Sequence, residues 1–147
     1  MLQILRARLA VLTLAGLMMF CEARAEVPEA AVRYANNFSH ENLTCGVHHH
    51  LVSHCTSNRD PKDHLVETYR QTSLEFIQRA VTVGKIIGTS NKALEAKMEI
   101  AKQGMMADIE NNCINISVLL QKHAMQCKRL FEDGPKAYSD AMDRLLR

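Results

Sequence analysis

"TCGVHHHLVSHC", residues 44–55, sets His48, His49, His50 and His54 between Cys45 and Cys55. Such a stretch can be a metal site, a redox site, or a helix stapled to a core. Which of these it is depends first on the compartment the chain enters.

The 147-residue chain begins with Arg6 and Arg8, continues with a 13-residue apolar run from Leu9 to Cys21, and reaches Ala23-Arg24-Ala25 ahead of Glu26. A basic start, a short apolar stretch and a small-x-small site make a secretory signal peptide. Residues 1–25 are therefore read as a leader and 26–147 as a single helical domain. The apolar run falls well short of the roughly 20 residues that span a bilayer, so no membrane span is expected after cleavage. A lipid-acceptor cysteine needs a small residue before it, and Phe20 precedes Cys21. Cleavage after Ala25 removes Cys21 and leaves Cys45, Cys55, Cys113 and Cys127. An even count in an exported chain points to two disulfides.

The leader carries three of the 18 basic and one of the 16 acidic residues, so the mature chain holds 15 of each. That balance lacks the electrostatic footprint of a nucleic-acid binder. All seven histidines lie after residue 25, so the charge climbs in acid.

Strand signals are scarce, and helical periodicity dominates. Residues 28–38 read as a short helix, followed by a second from Ser39 or Glu41 to about Cys55. Asp60-Pro61-Lys62-Asp63 reads as a helix start with Asp60 as N-cap and Pro61 at the first helical position. From there Leu65, Tyr69, Thr72, Phe76, Ala80, Val83 and Ile87 form a buried stripe. "GTSN" (88–91) ends that helix, with Ser90 capping the next. The next helix is read as running unbroken to Phe131, with Leu94, Met98, Ala101, Met105, Ile109, Cys113, Ile116, Leu120, Ala124, Cys127 and Phe131 on its stripe. "EDGP" (132–135) stops it, and 136–146 form a short last helix. The expected fold is all-α: a small helical bundle with a long central helical hairpin, cross-linked by two disulfides.

Spacing restricts the pairing. Cys113 and Cys127 stand roughly 21 Å apart on a continuous helix, and Cys45 and Cys55 roughly 15 Å, whereas bridged Cα atoms lie within about 7 Å. Both bonds must join the two segments. Antiparallel segments give Cys45–Cys127 and Cys55–Cys113; parallel ones give Cys45–Cys113 and Cys55–Cys127. The antiparallel pairing asks for the shorter return after Cys55, and the parallel one remains spannable. Zinc held by free thiols is the rival, but the spacing matches no standard zinc module.

On a helical wheel His48 shares a broad side with Cys45, Leu51, Val52 and Cys55, the position of a packing histidine. His50 and His54 stand one turn apart on the other face with Gly46 and Ser53, a spacing that can chelate Zn, Cu or Ni. A third ligand would have to come from His40, His64 or Glu41. No cofactor is otherwise implied. Ser53 beside His54 is no triad, since that constellation is recognised by spatial roles, and no enzyme is expected. Sequons start at Asn37, Asn42 and Asn115, with Asn115 beside the expected core.

These features predict a periplasmic or secreted protein with a non-catalytic protein-binding role in the cell envelope, its partner an envelope or secreted protein or a second copy in a homodimer. In general architecture it resembles small periplasmic immunity proteins and envelope chaperones, without a motif specific to either. The alternative is a periplasmic transition-metal-binding protein that uses residues 48–54, and the seven histidines make acid responsiveness a third reading. A binding role predicts an exposed apolar or Met-bearing patch, with Met105, Met106 and Met125 as candidates.

Overall fold

The computed structural model describes residues 27–146, and the leader expected over 1–25 lies outside them. Among the described residues four α-helices follow one another: α1 (Glu29–Arg59), α2 (His64–Ile86), α3 (Asn91–Asp108) and α4 (Ser117–Leu146). A 3-10 turn at Cys113–Asn115 precedes α4. The chain is an all-α bundle carrying two disulfides, and no helix among the described residues is long and apolar enough to cross a membrane.

The expected break before Ser39 does not occur. Ser39 is a residue that caps helices well, but here its Oγ donates to the Ala80 carbonyl of α2 (2.9 Å), so α1 runs through it. Two further bonds repeat this pairing: Ser73 Oγ donates to the Gly46 carbonyl, and Ser53 Oγ to the Val66 carbonyl, both at 2.8 Å. The positions on α1 (39, 46, 53) and on α2 (80, 73, 66) both advance by seven residues, in opposite directions. Small residues at heptad spacing thus form an antiparallel seam between α1 and α2. At its centre a Cβ added to Gly46 would lie 2.6 Å from Ile77 Cγ1 and 3.3 Å from both the Ile77 nitrogen and the Ser73 carbonyl oxygen. The wheel expectation for Gly46 and Ser53 is therefore overturned: both are buried against α2.

The start of α2 also differs. Asp63, not Asp60, is the N-cap, its Oδ1 accepting from the Leu65 nitrogen (2.9 Å), while Asp60 accepts from Lys62 in the preceding turn (3.0 Å). Ser90 caps α3 through Ala93.

The continuous helix expected over 91–131 is broken. α2 and α3 end in the same hydrogen-bonded cap, in which the second residue past the C-cap bonds to the carbonyl five residues earlier and the first bonds to the carbonyl three earlier. At α2 these are Thr89 to Gly84 and Gly88 to Lys85, with Gly88 at φ 80°; at α3 they are Asn111 to Met106 and Glu110 to Ala107. Glu110 and Asn111 both sit at φ 55°, a region that favours glycine and tolerates asparagine. Asn112 then accepts from Ile114 and starts the 3-10 turn.

The opposite correction applies at Pro135, which lies inside α4. An interior proline removes one hydrogen bond and crowds the carbonyl four residues back, at about 3 kcal/mol. Continuing the helix buries Ala141 and Leu145 against Ala31, Ala35, Phe38 and Val83 and sets Arg144 over the Tyr34 ring, 4.7 Å from its centroid. That burial offsets the loss.

Leu94 packs with Leu43 and Ala80, while Met105 and Ile109 pack with Val47, Leu51 and Cys55. Hence α3 runs parallel to α1, and the reversal over 109–116 returns α4 antiparallel to it. The disulfides join Cys45 to Cys127 and Cys55 to Cys113, with Cα separations of 5.3 and 5.1 Å. Because of the break, Cys113 lies in the turn rather than mid-helix. Bridges closing 82 and 58 residues contribute about 4 kcal/mol each through the unfolded chain. Helix α1 is the shared element, meeting α2, α3 and α4, whereas α2 and α4 touch each other sparsely.

Urea unfolding should show Gly46→Ala less stable by about 1–3 kcal/mol, because the seam has no room for a methyl group. Glu110→Gly should be more stable by about 1 kcal/mol, because glycine meets no Cβ penalty at positive φ. A neutral Gly46→Ala would mean that α1 and α2 are not in backbone contact.

Candidate functional site: an apolar cleft over buried histidines

The stripe read from the sequence on α2 is buried only along its second half. Phe76, Ala80 and Val83 are enclosed, but Leu65 is 39% exposed, and Tyr69 and Thr72 are only half-buried. The stripe on α4 behaves likewise: Cys127 is enclosed and Ala124 half-buried, but Leu120 and Phe131 are exposed by 37 and 44%, and Met125 beside them by 69%. These two half-open stripes face each other across a cleft of about 390 Å³, with Cys127, His48 and His49 also lining it. Of the three candidate methionines, Met105 is enclosed in the core and Met106 half-buried; Met125 alone of the three stands open, on the cleft wall.

The histidines form a group that spans two helices. His48 meets His49 edge-on (ring centroids 5.1 Å apart) and packs at a tilt against His123 of α4 (5.7 Å). His49 in turn packs on Tyr69 and Phe76 of α2, at 5.7 and 5.3 Å. A carbonyl only accepts, so His49 Nδ1, 2.9 Å from the Cys45 oxygen, carries the proton. His48 is 2% exposed, and its Nδ1 has no hydrogen-bond partner among the described residues; neither has the buried Nε2 of His123.

Burial, followed by the neighbouring His49 and His123, lowers the pKa of His48 from the ordinary 6.5 to about 3. Burial also lowers His49, opposed by its bond to the Cys45 carbonyl. His123 is lowered by burial and then by Lys122, with Asp108 acting the other way. The cleft floor is thus neutral imidazole at neutral pH, suited to packing and hydrogen bonding.

The other sequence-predicted site residues are not gathered. His50 and His54 are both exposed on α1, and His54 Nε2 meets Asn58 Nδ2 at 3.3 Å. Among the described residues no group of three or more His, Cys, Asp or Glu stands close enough together to hold a metal ion. His64 is exposed beside Asp63 (3.5 Å), and His40 borders a separate hollow. Ser53 is committed to Val66 and turned from His54. Among the sequons, Asn42 is wholly buried, its amide donating to the Phe38 carbonyl (2.8 Å), and Asn115 lies in the interhelical turn rather than mid-helix.

The sequence reading did not connect His123 with His48, although a signal existed. His48 is three residues after Cys45 and His123 four before Cys127, so an antiparallel bridge between those cysteines brings the two rings level. No protein-family model, curated protein or solved structure matches the chain.

The pH dependence of stability follows from His48. Above pH 6.5 its imidazole is neutral in both the folded and unfolded chains. Between pH 6.5 and about 3 the unfolded chain binds a proton that the folded site refuses, so stability falls by about 1.4 kcal/mol per pH unit. Urea unfolding at pH 7.5, 6.0 and 5.0 should show this loss, and His48→Leu should flatten it. An unchanged slope in the variant would mean that His48 takes up protons freely in the fold.

Proposed function

We propose that this is an exported, non-catalytic binding protein whose α2–α4 cleft receives an amphipathic helix of another envelope or secreted protein. One observation carries the reading: two apolar stripes with core-type spacing face each other and remain half open. Contiguous exposed apolar surface marks an interaction site more often than isolated exposed residues do. Positions 65, 69 and 72 form one wall, and 120, 124 and 131 the other. A docked helix repeats its anchors at the same three-four interval, so its side chains can alternate with both rows. Met125, unbranched and polarizable, can adapt to a partner's surface.

The location rests on the leader pattern over 1–25 and on the two disulfides, which persist in oxidising compartments. In the periplasm or outside the cell the bridges would keep α4 against α1, so the cleft would be held ready before a partner arrives. Such preorganisation lowers the cost of binding.

A photo-crosslinking residue placed at Met125, and at Glu95 as a control, tests this in the producing cell. The expected result is one discrete adduct from position 125, mapping to an apolar helical segment of a single partner, and lost with Phe131→Glu. Equal adducts from both positions, no adduct from position 125, or an adduct only with a second copy of the chain would overturn the proposed occupant.

A further inference from the structure

The two sulfur bridges stand in different surroundings. Cys45 and Cys127 are both 0% exposed and packed with Phe76, so solvent does not reach that bond in the folded chain. Cys55 is 3% exposed, but its partner Cys113 is half-buried in the 3-10 turn. Both line a hollow of about 260 Å³ together with Asn58, Arg59 and Ile114.

The side chains of this hollow suit a sulfur under attack. Asn58 Nδ2 donates to Cys113 Sγ (3.8 Å). The same nitrogen lies 3.3 Å from His54 Nε2, which can accept its other proton and so hold the amide toward the sulfur. Exchange spreads negative charge over three sulfurs in its transition state, and a donor on the central one stabilises that charge. Of the lining residues only Arg59 is charged, and it forms no ion pair among the described residues. A cation at the mouth favours the approach of an anionic thiolate.

We propose that Cys113 Sγ is a thiol–disulfide exchange site, open to a thiolate from solvent while Cys45–Cys127 stays closed. Burial of Cys55 directs the attack to Cys113. The incoming sulfur bonds to Cys113 Sγ, and the S–S electron pair leaves with Cys55, which takes a proton from solvent. The neutral Cys55 thiol then suits the Met105 and Ile109 side chains it packs with. A second thiol of the donor attacks the mixed disulfide and releases Cys113 as a thiol. The donor is thereby oxidised to a disulfide, and the bridge is reduced by two electrons and two protons. Ile114, 80% exposed beside the sulfur, offers apolar contact to a thiol carried on a protein. The remaining bridge still ties α4 to α1, so the partner cleft between α2 and α4 stays formed.

Incubating the full disulfide-bonded protein with reduced glutathione at pH 8, quenching with iodoacetamide and mapping peptides by mass tests the assignment. A glutathione adduct on Cys113 with a free Cys55 is expected, at least about tenfold faster than Cys45–Cys127 opens, since the enclosed bridge waits for larger unfolding. Asn58→Ala, a change at the surface, should slow the adduct about threefold, the worth of one hydrogen bond, and leave the unfolding temperature unchanged. Reduced thioredoxin, run in parallel, separates the sources of thiolate: a rate lowered in Ile114→Ser marks a protein-borne thiol, and an equal rate marks a small one. Opening of Cys45–Cys127 before or together with Cys55–Cys113, an adduct on Cys55 alone, or an undiminished rate in Asn58→Ala would each overturn the proposal.

Discussion

The close approach of α1 and α2 at Gly46 is the contact on which the other packing depends. With no side chain at that position, the Gly46 carbonyl can accept from Ser73 while Ile77 lies directly over it. The serine bonds on either side, at 39 and 53, hold the same register over two further heptads. A one-turn slip would break all three bonds and drive Ile77 against a side chain. This register also brings Phe76 beside the Cys45–Cys127 bridge and places the imidazole of His49 between Tyr69 and Phe76.

The disulfides then settle where α4 lies. Both run from α1, so α4 and the turn before it are tied to the helix that α2 already occupies on another face. With both neighbours drawn to α1, α2 and α4 stay apart over the His48–His49 segment, and their apolar stripes are left facing a cleft. The same geometry encloses His48 with His49 and His123 and without an anionic partner, which is why its neutral form prevails well below the ordinary imidazole range. Stability, acid sensitivity and available binding surface thus share one structural origin.

Much of the fold was legible from local chemistry. Ser90 caps α3, Gly88 ends α2 in the left-handed region, and the second half of the α2 stripe turns inward. The failures have physical causes. The cap at Glu110 has the same hydrogen bonds as that at Gly88 but no glycine to announce it, so the break in the expected long helix was hidden. Ser39 has the chemistry of a cap and spends it on a neighbouring helix. Pro135 has the chemistry of a stop and is carried through by the burial of Ala141 and Leu145 beyond it.

For the candidate site the division is sharper. Helical class, the even set of four cysteines and the packing role of His48 all follow from residue type and spacing, because each is a property of one segment and its periodicity. The turn that reverses the chain before α4, the pairing of His48 with His123 and the gap between α2 and α4 are relations between segments. They arise only when glycine contact, serine bonds and sulfur bridges act together on one shared helix. A stripe of apolar residues says which face avoids water; whether another helix is present to cover that face is decided by tertiary packing alone.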